Sequence, residues 1–380
     1  MLRVLILMSS TGDGHRASAE ALQAGFQRWF PDQIHVDVID IAEYLPWPFS
    51  SIPNSYAPMT NHAAYLYRWL WHATASRLLV ETLAKPGAWA VRHALIRTFN
   101  AFAPDCVISV HPMLQHVTID ALAHMDRRIR FVTVVTDLVT AHPAWFHPAA
   151  ALCFVASEET ERRACKGGVP TERVRRHGLP IGLEYAEIPH CRADVRRALG
   201  LCPERPAVLI TGGGEGFGRI DEMADRLAHD LAVAGQQGQL IVICGRNQGL
   251  AERLRTRHWP IPVTVCGYVQ NMPLWMFASD CLVTKAGPGA IAEALACGLP
   301  MVLSGFIPGQ EAGNIDYVVS NGAGVYEPDP ERAASIVQRW LGDDCAERDR
   351  LSVNARRLAQ PDATRRIVEA IAAHLGVATS

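Results

Sequence analysis

The chain alternates short, nearly continuous apolar runs with helical patterns, and it does so twice. Leu2–Met8, Ile34–Ile39, Cys106–Val110, Phe131–Thr136 and Ala151–Val155 read as strands, with helix-like stretches such as Ala17–Phe30 and Glu158–Gly167 among them. The alternation restarts at Ala207–Ile210 and continues through Gln239–Cys244, Pro262–Val265, Cys281–Thr284 and Pro300–Leu303. Strands that are apolar on both faces belong to parallel sheets covered by helices on both sides. Two such sets mean an α/β protein of two doubly wound domains. Prolines and charges cluster in Gly182–Pro206, where no strand can be read, so the expected domains are 1–185 and 186–380. The helical piece Ala193–Leu199 then opens the second domain. The last helix, Ala363–Leu375, follows all the second-domain strands and can pack back on the first.

Composition removes several classes of function. With 49% apolar and 19% charged residues, the chain has material for a core and no disordered character. A net charge of −2 argues against a nucleic-acid partner. The 10 cysteines never form C-x-x-C, which suits reduced thiols in a cytosolic protein. Leu2–Met8 already reads as a strand, leaving no room for a leader peptide. Residues 44–67 lack formal charge but carry four prolines, so they cannot be a membrane span.

Residues 60–97 stand apart. Arg68, Arg77, Lys85, Arg92 and Arg97 face Glu81 alone, a local charge of +4, and Tyr65, Tyr67, Trp69, Trp71 and Trp89 are interleaved with them. A segment lying on an anionic membrane surface has this composition. So does a packed helix pair whose aromatics are core.

Three glycine-rich turns follow strands: Thr11-Gly-Asp-Gly-His15, Thr211-Gly-Gly-Gly-Glu-Gly-Phe-Gly218 and Lys285-Ala-Gly-Pro-Gly289. Glycine there lets an anion approach the amides at a helix start, where the dipole is positive. None matches G-x-G-x-x-G or the P-loop, so dehydrogenases and P-loop NTPases lose ground. Two turns in the second domain strengthen the case for a diphosphate ligand. Glu293 falls in the first turn of a helix read at Ala290–Cys297. There it can accept both hydroxyls of a ribose, or merely complement the dipole. Pro308-Gly-Gln-Glu-Ala-Gly-Asn314 places Gln310, Glu311 and Asn314 in a loop at a strand's C-terminal end, where open α/β sheets bind ligands.

Asp-Cys-Leu-Val-Thr-Lys-Ala-Gly-Pro-Gly (280–289), Ile-Ala-Glu-Ala (291–294) and Ile-Pro-Gly-Gln-Glu-Ala-Gly-Asn (307–314) resemble the donor site of monogalactosyldiacylglycerol synthases. Those are inverting GT-B enzymes of glycosyltransferase family 28, related to the peptidoglycan enzyme that adds N-acetylglucosamine to a lipid carrier. The resemblance extends to Val4–His15, Ser109-Val-His-Pro112, Val135-Thr-Asp137, His142-Pro143 with Trp145-Phe146, and Cys244-Gly-Arg-Asn-Gln248, in the same order along the chain. It implies a GT-B fold, two Rossmann-like parallel-sheet domains facing a cleft. It also implies transfer of galactose from UDP-galactose to 1,2-diacylglycerol with inversion, glucose being the alternative sugar. An epimerase of sugar nucleotides on the same fold, or a lipid or nucleotide-sugar sensor without turnover, are the competing readings.

Carried over by position, the resemblance gives Glu293 the ribose and Gly214, Gly287 and Gly289 the diphosphate. Tyr268 and Val269 would border the uracil, and Gln310, Glu311 and Asn314 would face the sugar. His15 corresponds to the family's proposed base. Asp13 stands where glycine is expected, and residues 44–100 match only loosely.

The residues themselves bear on the chemistry. A His at a helix start is held neutral by the dipole, as a general base requires, although phosphate contact or capping would also place one there. Asp137 could orient His15 or bind the acceptor. No aspartates occur at D-x-D spacing, so no cofactor and no metal are expected; helix N-termini, backbone amides and Arg246 would hold the diphosphate. Diacylglycerol is nearly insoluble, so the enzyme must reach it at the bilayer. Arg68, Trp69, Trp71 and Arg77 are the expected acceptor and membrane contacts, with anionic lipids as partners. The expected location is cytoplasmic, bound peripherally at the inner face of the cell membrane.

Overall fold

The computed structural model describes residues 1–10, 13–51, 69, 71, 74, 77–187, 191–216, 218–342 and 345–378, without the side chains of 13 and 77–85. Arg68, Tyr65, Tyr67, Thr11 and Gly12 lie outside the described residues, as do the side chains of Arg77, Glu81 and Lys85. The chain divides into two units. The first comprises Met1–Leu183, Ile307–Glu311 and Asp362–Ser380; the second comprises Glu184–Phe306 and Ala312–Pro361.

The first unit runs β1 (Leu2–Met8), α1 (Asp13–Trp29), β2 (Ile34–Asp40), α2 (Arg77–Phe102), β3 (Cys106–Ser109), α3 (Gln115–Ala123), β4 (Arg130–Val134), β5 (Leu152–Val155), α4 (Glu158–Lys166) and β6 (Val174–Arg176). Its six strands are all parallel in the order β2-β1-β3-β4-β5-β6. Alternate residues of β1 serve opposite faces: Val4 and Ile6 pack toward α1, whereas Leu5 and Leu7 pack toward α2. Phe26 and Phe30, one helical turn apart, are fully buried, each worth about 1.5–3 kcal/mol of burial. In α2 the buried stripe is Val91, Leu95 and Phe99 at helical spacing. Pro86 lies inside this helix, where it has no N–H to donate to the preceding turn.

The second unit runs α5 (Arg192–Ala198), β7 (Ala207–Thr211), α6 (Ile220–Val233), β8 (Gln239–Ile243), α7 (Gln248–Arg255), β9 (Val263–Cys266), α8 (Met272–Ala278), β10 (Cys281–Lys285), α9 (Pro288–Ala296), β11 (Met301–Gly305), α10 (Ala312–Ser320), β12 (Gly324–Tyr326), α11 (Pro330–Leu341) and α12 (Ala346–Leu358). Its strands are again all parallel, in the order β12-β11-β10-β7-β8-β9. Arg192 and Arg196 of α5 reach Asp280 at 2.8 and 2.6 Å, and Asp280 also accepts the Ala207 amide at 2.7 Å. One carboxylate therefore ties α5 to the starts of β7 and β10. The final helix, α13 (Ala363–His374), belongs to the first unit, where Ile367, Val368 and Ile371 join the core beside α1.

Both sheets are doubly wound. The strand order reverses between β1 and β3 in the first and between β7 and β10 in the second. Ligands of open parallel sheets bind beyond the strand ends at such a switch point. The described residues of all three glycine turns lie there.

Candidate active site

At the first switch point the turn after β1 supplies His15 and the segment after β3 supplies His111. Their rings are 4.6 Å apart, edge to face. His15 Nδ1 lies 2.8 Å from Thr136 Oγ1, and the Thr136 hydroxyl donates to the Val110 carbonyl at 3.4 Å. With its proton committed to Val110, Thr136 accepts, so His15 carries its proton on Nδ1 and a lone pair on Nε2. Burial pushes the His15 pKa down to about 4, against a pull upward from the Val110 carbonyl. Burial, and then the neighbouring His15, hold His111 well below the usual imidazole range. Both rings are neutral at pH 7.

Asp137 follows Thr136, but its carboxylate does not meet His15. It accepts the Trp145 indole N–H at 2.6 Å, the Gln310 amide at 3.3 Å and the His142 backbone N–H. Burial outweighs these three donors and raises its pKa to about 6. Orienting His15, one of the two roles open to Asp137 from the sequence, falls instead to Thr136 and Val110. Glu311 is 2% exposed and accepts the Ile307 amide at 2.8 Å, so it braces its own loop where a sugar contact was expected. Trp71 is half-buried, its ring centroid 4.7 Å from that of His142. Trp69 is 65% exposed.

At the second switch point the turn after β7 packs against the turn after β8. Gly245 has φ +58°, and a Cβ there would fall 2.2 Å from the Gly214 carbonyl oxygen, so no other residue fits. The Gly214 carbonyl accepts the Arg246 amide at 2.7 Å. Gly214 thus serves the packing of two turns. Gly287 caps α9 and Pro288 has no N–H, so Gly289 and Ala290 supply the first amides without a partner inside the helix. A Cβ at Gly289 would meet nothing within 4 Å, leaving that side open to an anion. The Lys285 Cε lies 3.7 Å from the place of a Gly213 Cβ, bringing a cation between the two turns.

Arg246 stands over the Tyr268 ring at 4.7 Å and pairs at 3.0 Å with Glu215 of the turn after β7, so its charge lies between that turn and the expected base position. Val269 is half-buried next to Tyr268. Because α9 begins at Pro288, Glu293 falls in its second turn, where it is half-buried and hydrogen-bonded by the Tyr185 hydroxyl. Desolvation raises its pKa to about 7. Asn314 is 1% exposed and donates to the Ala286 carbonyl at 2.9 Å, holding the α9 turn in place instead of facing a sugar. Among the described residues no group of three His, Cys, Asp or Glu could hold a metal ion.

Thr136, His111, His142, Trp145, Tyr185 and Lys285 were not assigned to the site from the sequence. Thr136, His111 and Lys285 each sit at or just beyond a strand end, and that signal was available.

Comparison with known proteins agrees with this layout. Residues 15–181 match the family described as monogalactosyldiacylglycerol (MGDG) synthase, and residues 207–367 match the glycosyltransferase family 28 C-terminal domain. The chain is 41% identical to monogalactosyldiacylglycerol synthase 1, chloroplastic, of Arabidopsis thaliana, over 96% of this chain and 70% of that one. It is 43% identical to probable monogalactosyldiacylglycerol synthase 3, chloroplastic, of Oryza sativa subsp. japonica, over 97% and 73%. Among solved structures, S. aureus MnaA with UDP is similar at a TM-score of 0.64 and 13% identity, covering 100% of this chain and 98% of that one. Acinetobacter baumannii MurG is similar at 0.60 and 17%, covering 98% and 99%. The fold is GT-B, and the chain belongs to the monogalactosyldiacylglycerol synthase family.

Proposed function

We propose that the protein is an inverting glycosyltransferase that moves galactose from UDP-galactose to 1,2-diacylglycerol, giving β-monogalactosyldiacylglycerol. The observation that carries this reading is His15, buried and neutral, with Nδ1 committed to Thr136 and Nε2 left as a base. The names of the relatives support the acceptor and the sugar. In the proposed step the acceptor oxygen attacks C1 of the sugar, its proton passes to His15 Nε2, and the C1–oxygen bond to UDP breaks with the electron pair leaving on the diphosphate. The amides of Gly289 and Ala290, the α9 dipole and Lys285 would receive that charge, in a chain without D-x-D, so we propose that no metal is needed. The runner-up donor is UDP-glucose.

Labelled UDP-galactose and UDP-glucose, each given with diacylglycerol vesicles, with and without EDTA, test the reading. A labelled glycolipid from UDP-galactose, unchanged by EDTA, is expected. Sugar conversion without glycolipid would make the protein an epimerase, and tight binding without turnover a sensor.

Glu293 gives a pH dependence with a defined sign. A ribose hydroxyl donates to a carboxylate, so the ligand favours the ionised form, and the Glu293 pKa is raised to about 7. UDP-galactose affinity should therefore rise between about pH 6 and pH 8 and then level off. Glu293→Gln should flatten that dependence and cost roughly 1.5–3 kcal/mol of binding at pH 8, read by calorimetry.

The acceptor requires a membrane surface. No described helix is long and apolar enough to cross one. Trp89, 72% exposed on α2, and the exposed Trp69 support peripheral docking. Arg92 is held by Asp120 at 2.8 Å and contributes less free charge than the sequence suggested. The anionic-lipid preference therefore rests on the remaining cations of residues 60–97.

A further inference from the structure

Segment 307–311 is held on the first unit by a closed ring of contacts. Gly309 has φ +90°, and a Cβ there would stand 2.8 Å from Trp71 Cδ1 and 2.9 Å from Cγ: the indole lies directly on this backbone. The indole also meets the His142 ring, centroid to centroid 4.7 Å and edge to face. His142 Nδ1 accepts the Ala144 amide at 3.1 Å, so the proton of its neutral ring is on Nε2, 3.2 Å from Thr74 Oγ1. Thr74 passes its own proton to the Trp71 carbonyl at 3.3 Å. The backbone N–H of the same His142 reaches Asp137, and Asp137 accepts Gln310, the residue that follows Gly309.

We infer that Trp71 is a positioning residue for donor-sugar recognition, its indole filling the space over Gly309 so that Gln310 is aimed from one fixed backbone. The inference rests on the reading of Gln310 as a sugar contact within the proposed transferase. It gives Trp71 a purpose that membrane docking does not: Trp71 and Thr74, in the segment expected to meet the acceptor, fix the loop expected to meet the donor's hexose. Only glycine leaves room for the Trp71 side chain, whose Cδ1, Cγ and Cβ crowd the place of a Cβ.

Calorimetry with UDP and with UDP-galactose, in the absence of lipid, separates this from a general structural role. Trp71→Ala should weaken UDP-galactose about tenfold and leave UDP within about twofold, because only the hexose contact is misplaced. Trp71→Phe, which keeps a ring over Gly309 and guards against misfolding of the alanine variant, should recover most of the loss. Gly309→Ala should match Trp71→Ala, and the double variant should be no worse than the weaker single one, since both remove one shared contact. Unchanged UDP-galactose affinity in Trp71→Ala, equal losses for UDP and UDP-galactose, or losses that multiply in the double variant would each overturn the inference. Transfer to diacylglycerol is scored separately on the wild type, so failure of the transferase reading and failure of this one give different results.

Discussion

His15→Ala is expected to lower kcat by roughly 10²–10⁴, the usual worth of a general base, while UDP affinity stays within about twofold. The asymmetry follows from placement. His15 lies at the β1–β3 switch point with its Nδ1 held by Thr136, whereas the diphosphate amides belong to α9 of the second unit. Its low basicity, with a pKa pushed down to about 4 by burial, keeps it unprotonated through the neutral range and makes proton uptake concerted with bond formation. Steady-state rates with calorimetry on the same preparation check this. A variant that lost only nucleotide affinity would make His15 a phosphate ligand.

Asp137→Asn should make the protein slower and, at alkaline pH, more stable. The Asp137 pKa lies at about 6 in the folded chain against an ordinary value of 3.8, because burial disfavours its charge. A raised carboxyl pKa means that stability is lost as pH rises from 3.8 to about 6, the window in which the unfolded chain ionises and the folded one resists. Above that window the buried charge costs at most about 3 kcal/mol. Asn removes the charge, so the stability gain should be present at pH 8 and absent near pH 4, as urea melts at the two pH values would show. Activity should drop roughly 10- to 100-fold, because the Trp145 indole and Gln310 lose charge-assisted hydrogen bonds to the carboxylate. At saturating UDP-galactose, where the Glu293 dependence of binding drops out, the wild-type acid limb of kcat near pH 6 should move toward pH 4, where His15 titrates. An unmoved limb would show that Asp137 does not control the site.

Much of the fold was legible because buried parallel strands are continuous apolar runs. All ten strands read from the sequence are present, displaced by a residue or two at their ends. The missing ones, β6 (Val174–Arg176) and β12 (Gly324–Tyr326), are three-residue edge strands, too short to form such a run. Glycine turns marked the switch points, since an anion site at a helix start needs backbone without side chains. What could not be read was which polar atom pairs with which. Asp137 adjoins Thr136 in sequence, yet Thr136 takes the His15 ring and Asp137 takes the Trp145 indole. Trp71 was grouped with interfacial aromatics by composition, because nothing local distinguishes an indole against lipid from one against Gly309, more than a hundred positions past the last strand of the first unit's sheet. Glu293 slipped by one turn because Pro288 starts α9 two residues early.

A single displacement on the sugar, with His15 taking the proton, fixes the configuration of the product. Proton NMR of the glycolipid formed from UDP-galactose reads the outcome directly, since the donor is α-linked and the anomeric coupling reports the product's configuration. A β-linked product that disappears with His15→Ala is the predicted result. An α-linked product would contradict it, because retention requires a different reaction path from one in which the acceptor oxygen displaces UDP in a single step.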